Sequence, residues 1–122
     1  MIDETLKNLI EENALAIATA NKKAEPHCIG VGFVKVVSKN QILITDNYMN
    51  TTVKNILENP KISLVVWNKE WKDDFVGYKM EGTAEYFKEG KWLDKAKKIP
   101  ENKGMPCKGT IVVTLNKIVK IE

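Results

Sequence analysis

The stretch Gln41-Ile42-Leu43-Ile44-Thr45-Asp46-Asn47-Tyr48-Met49-Asn50-Thr51-Thr52 decides how the chain folds. Gln41 to Thr45 is a short apolar run with the composition of a buried strand. From Asp46 to Asn50 the composition turns polar, which predicts a loop, and Thr51 or Thr52 then caps a helix carrying Val53, Ile56 and Leu57 inward. Asn59-Pro60 ends that helix, because the residue before a proline is pushed out of the α region. The helix begins at the loop, so its first turn offers free N–H groups, the positive end of the helix dipole and two threonine hydroxyls. Those groups suit a phosphate.

Working outward, Ile62-Ser63-Leu64-Val65-Val66-Trp67 reads as the next strand. Upstream, Asp3 N-caps an amphipathic helix with Leu6, Leu9 and Ile10 at helical spacing, which Asn13 ends. Leu15, Ile17 and Thr19 then alternate with Ala16, Ala18 and Ala20, and a turn at Asn21-Lys22-Lys23 leads to a longer strand from Pro26. There Ile29, Val31 and Phe33 share one face, while Cys28, Gly30, Gly32, Val34 and Val36 share the other. The two glycines leave a gap through which a flat ligand could approach the backbone. Downstream come a charged loop from Asn68 to Asp74, a long strand from Phe75 to Phe87 interrupted at Gly82, and a short helix from about Trp92 to Lys98. A loop from Pro100 to Cys107 and a β-branched strand from Thr110 to Ile121 follow. Five or six strands joined mostly by turns predict an antiparallel barrel with short peripheral helices, since each parallel connection would need a crossover of about a dozen residues.

The chain has 122 residues, 43% hydrophobic and 29% charged, which fits a single domain over residues 1–122. Lysine supplies all 19 basic residues against 16 acids, and arginine is absent, so the guanidinium chemistry of nucleic-acid recognition is missing and no nucleic-acid partner is expected. The apolar run Ala14 to Ala20 falls short of the ~20 residues of a membrane span, and Met1-Ile2-Asp3-Glu4 lacks a basic leader region. The expectation is an unprocessed cytoplasmic protein without a membrane partner. Cys28 and Cys107 form no Cys-x-x-Cys or Cys/His cluster, so no metal is assigned, and both read as buried small hydrophobes. His27, the single histidine, reads as a solvated side chain at a strand entrance; no triad or carboxylate pair accompanies it, and no catalytic residue is assigned.

The run Asp46 to Ile56 followed by Glu58-Asn59-Pro60 resembles the signature of the FMN-binding split-barrel proteins related to pyridoxamine 5′-phosphate oxidase, particularly the small FMN-binding proteins. Pro26 to Phe33 resembles the family strand along the flavin ring, Tyr78 to Glu85 its long barrel strand, and Lys108 to Val113 its final strand. The resemblance implies a mainly β, antiparallel split barrel with short peripheral helices, and a homodimer holding FMN at the subunit interface. By position, Ile29, Gly30, Val31 and Gly32 would border the isoalloxazine, while Thr45, Asp46, Asn47, Tyr48, Met49 and Asn50 would line its edge and the ribityl chain. Thr51 and Thr52 would meet the phosphate. Met105, Pro106, Cys107 and Lys108, with the last residues near Ile121, would cover the flavin from the partner subunit. The family usually carries a lysine or arginine where this chain has Thr51. The implied function is electron or hydride transfer through FMN with a small-molecule or redox-protein partner, as a flavin reductase-like oxidoreductase. The alternatives are a non-catalytic flavin carrier or electron-transfer protein, and a split barrel holding haem or another cofactor. Without arginine the chain is not expected to be a true pyridoxamine 5′-phosphate oxidase.

Overall fold

The computed structural model describes residues 1–121. Along it run α1 (Glu4–Glu12), β1 (Leu15–Ala20), β2 (Pro26–Val31), β3 (Lys35–Val36), β4 (Gln41–Asp46), α2 (Thr51–Glu58), β5 (Lys61–Trp67), β6 (Gly77–Phe87), α3 (Lys91–Lys97) and β7 (Gly109–Lys120), with a 3₁₀ turn at Pro100–Asn102. The fold is mainly β: seven strands among the described residues form one curled antiparallel sheet in the order β2-β1-β5-β6-β7-β4-β3. Short helices pack around it. Among the described residues, no helix is long and apolar enough to cross a membrane.

Period-two alternation places the core. Ile17 lies between Ile29 and Leu64 across the sheet, and Leu64 lies opposite Met80, so the inner face is continuous from β2 to β6. Leu6 and Ile10 of α1 and Ile56 of α2 close over this face. The Asp3 carboxylate accepts the Leu6 N–H at 2.8 Å, as its position predicts for an N-cap. β4 is buried on both faces: Ile42 and Ile44 join the main core, while Leu43 packs outward with Ala96 and Ile99 under α3.

Several features differ from the sequence reading, among them that β4 runs on through Asp46 and β7 begins at Gly109. The strand expected to continue from Pro26 through Val36 breaks after Val31. Its two pieces pair at opposite edges of the sheet, β2 with β1 and β3 with β4. The strand expected to begin at Phe75 begins at Gly77, because the Asn68 carboxamide binds the Val76 N–H and the Asp74 carbonyl and keeps 68–76 as a loop. In α2 the inward residues are Thr52, Asn55 and Ile56, whereas Leu57 is 67% exposed. The interruption at Gly82 is a bulge between β6 and β7, and a Cβ there would run into the Thr114 backbone.

Candidate functional site

The break after Val31 and the loop after β4 open onto the same space. Residues 27–33, the 45–50 segment, the start of α2 and residues 101–105 enclose a cleft of about 670 Å³, within the ~300–1,000 Å³ usual for small-molecule sites. Along residues 29–32 Gly30 and Gly32 leave the backbone open to the cleft, while Ile29 and Val31 pack with the core. A Cβ at Gly32 would meet nothing within 4 Å, and one at Gly30 only the Leu15 carbonyl at 3.9 Å. Opposite stand Thr45, Asn47, Met49 and Asn50, with Tyr48 at 76% exposure on the rim. Thr51 and Thr52 close one end and Met105 borders another.

The helix start differs in detail from the sequence reading. Asn50, not a threonine, occupies the N-cap position of α2, and its side chain makes no capping bond. The first-turn N–H groups therefore have no side-chain cap, while Thr52 is buried beneath them and Thr51 stays exposed. α2 is seated from below by the buried Asn55 carboxamide, which donates to the Thr19 hydroxyl at 3.0 Å.

Asp46 does not line the cleft. Its carboxylate is 1% exposed and holds the loop from beneath: Oδ1 accepts the Met49 N–H at 2.9 Å, and Oδ2 accepts the Tyr86 hydroxyl at 2.6 Å. The Lys108 ammonium stands 3.7 Å from the same carboxylate and donates to the Met49 carbonyl at 2.8 Å. Burial, then the hydrogen bond to Asp46 and its negative charge, push the Tyr86 phenol up to about 12. Pro106, Cys107 and Lys108 also lie off the cleft wall. Cys107 sits at φ 46 with its N–H donating to the Asn47 carboxamide oxygen at 3.0 Å, so this corner ties down the loop. Met105 reaches the cleft of its own chain, where the resemblance implies a contact from the partner.

Four lining residues escaped the sequence reading: His27, Phe33, Glu101 and Asn102. Asn102 donates through Nδ2 to the Thr45 hydroxyl and to the Ala96 carbonyl, both at 2.8 Å, and so ties the cleft to α3. Its only sequence signal was an amide within a proline-containing loop. Cys28, expected to be buried, is exposed on edge strand β2, where no further strand covers it. Among the described residues no group of three or more His, Cys, Asp or Glu is placed to hold a metal ion.

A model of the family described as pyridoxamine 5′-phosphate oxidase matches residues 1–121. An uncharacterised protein of Methanocaldococcus jannaschii is 37% identical over 126 residues, covering 100% of this chain and 81% of its own. Among solved structures, HupZ of Group A Streptococcus superposes with a TM-score of 0.89 at 25% identity, covering 99% of this chain and 94% of its own. An FMN-binding protein of Syntrophomonas wolfei does so with a TM-score of 0.83 at 19% identity, covering 95% and 83%. A haem storage protein of Vibrio cholerae has a TM-score of 0.69 at 10% identity, covering 89% and 86%. The last two likenesses are of fold.

Proposed function

We propose that this chain, which belongs to the pyridoxamine 5′-phosphate oxidase family, is an FMN-binding flavoprotein that passes electrons or hydride through the bound flavin. The observation carrying the reading is the presence, in one cleft, of a wall segment opened by Gly30 and Gly32 together with an uncapped helix start. A planar, apolar ring system needs the first and an anionic tail needs the second. The cleft suits the group: Ile29 to Gly32 would lie along the isoalloxazine, the Thr45 hydroxyl and Asn47 would face the ribityl chain, and Thr51 with the α2 N–H groups would face the phosphate. When bound, FMN supplies one- and two-electron chemistry of its own. The chain's residues shape the cleft, hold the loop through Asp46, and keep the helix start open to an anion.

A visible spectrum of the freshly purified protein tests the reading. The two-peaked spectrum of oxidised flavin, with FMN released on denaturation, is the expected result; a colourless protein that takes up no added FMN would overturn it. Bleaching by NADH or NADPH would mark a reductase, while reduction only by dithionite or a redox protein would mark a carrier. A haem-binding split barrel is the second reading, favoured by one observation: His27, the sole histidine and a possible axial ligand, borders the cleft. An intense Soret band, lost in His27→Ala, would establish it.

A further inference from the structure

A second hollow, about 410 Å³, lies behind the loop and shares Met49 and Asn50 with the cleft. Lys54 of α2, Lys88 just after β6 and Lys108 just before β7 line it. We propose that Lys54, Lys88 and Lys108 form a cationic pocket that takes the phosphate end of the cleft's ligand, supplying the charge that Thr51 does not. The proposal rests on the flavin reading.

Charge accounting favours this hollow. Among the described residues the one carboxylate lining it is Asp46, whose oxygens already serve the Met49 N–H and the Tyr86 hydroxyl and whose charge is offset by Lys108 at 3.7 Å. Lys108 is fixed over the loop by the Met49 carbonyl, while Lys54 and Lys88 make no ion pair among the described residues. The cations left unpaired among the described residues of this hollow are therefore Lys54 and Lys88, with Lys108 already set against Asp46. The other lysine-bearing hollow beside the cleft contains Lys35, Lys95 and Lys98 but also Glu11 and Glu101, and its Lys35 already stands 3.8 Å from Glu11. That hollow meets the cleft at Phe33 and Glu101, away from the helix start. An anion leaving the cleft past Asn50 meets the lysine-rich side. Among the described residues Met49 and Asn50 are the wall residues common to the two hollows, so the phosphate would sit at their edge rather than deep in either.

Fluorescence-quenching titrations with FMN and with riboflavin, which lacks the phosphate, test the pocket in the full chain. Lys54→Gln and Lys88→Gln should each weaken FMN by about three- to tenfold at low salt, with a flatter salt dependence, because these charges are solvent-screened. Riboflavin affinity should stay at the wild-type value in both, and Lys95→Gln, which removes equal charge elsewhere, should change neither ligand. An unchanged FMN-to-riboflavin ratio in the Lys54→Gln/Lys88→Gln protein would overturn the pocket while leaving the flavin reading intact. Failure of the wild type to bind either flavin would instead sink the flavin reading. The lysines would then be judged with inorganic phosphate: amide shifts at Asn50, Val53 and Lys88 that vanish in the double variant keep an anion site there, and absent shifts remove it.

Discussion

Asp46 shows how one side chain serves a cleft it does not touch. Buried and bonded on both oxygens, it fixes the turn from β4 into the loop and orients Tyr86 across from it. Asp46→Ala would leave the Met49 N–H and the Tyr86 hydroxyl without their acceptor and Lys108 without its countercharge. Such a loss should cost roughly 2–4 kcal/mol, read as a lowered urea midpoint. Tyr86 makes the same contact visible to pH. Its folded value of about 12 lies above the ordinary 10.0, so the protonated phenol is the form that folding favours. Its contribution is full below pH 10 and fades as pH rises toward about 12. Tyr86→Phe should therefore be less stable than the wild type at pH 8, with the gap closing as the pH approaches the folded value; a gap independent of pH would refute the assignment. The sequence reading began the loop at Asp46, whereas Asp46 is the last residue of β4; on that strand's alternation it shares the inward face of Ile42 and Ile44, which a polar side chain at a strand end concealed.

At the scale of elements, strands whose partners share their alternation were legible. Leu15, Ile17 and Thr19 point inward as the pattern requires, and Gly82 interrupts β6 where expected. Gly82→Ala forces a methyl group against the Thr114 backbone, so it should destabilise the sheet by roughly 1–3 kcal/mol in denaturant unfolding. An unchanged midpoint would mean the bulge relaxes freely. The break after Val31 was not legible, because residues 26–36 keep one local pattern while their pairing partners lie at opposite sheet edges. The face of α2 was misread for a similar reason. Asn55 is polar yet buried, and only its bond to Thr19, far away in sequence, makes that burial tolerable.

For the whole molecule, the candidate cleft was largely legible because its main walls come from two contiguous segments, residues 29–32 and 45–52; Asn102 and Glu101 arrive from a distant loop and were not. What faces the open side is a matter between molecules. Tyr48 and Met105 on the cleft, and Trp67, Trp71 and Phe75 elsewhere on the surface, each expose a large apolar side chain. We expect sedimentation velocity to report a homodimer, with a shared site completed across the two-fold axis. A monomer that retains stoichiometric FMN through gel filtration would overturn that expectation.

The two thiols give this chain a built-in clock. Cys28 is open on an edge strand, and Cys107 is 6% exposed in a left-handed backbone conformation clasped by Asn47. An aromatic disulfide reagent should consume one thiol per free chain at once and the second only as fast as the 105–108 corner lets go. The slow phase then measures the free energy of that opening, without unfolding the rest. Asn47→Ala should quicken the slow phase and leave the fast one untouched, while FMN, if the ordered loop favours it, should retard it in proportion to occupancy. The same asymmetry makes Cys28 a single attachment point for a dye beside the cleft, from which ligand entry could be timed.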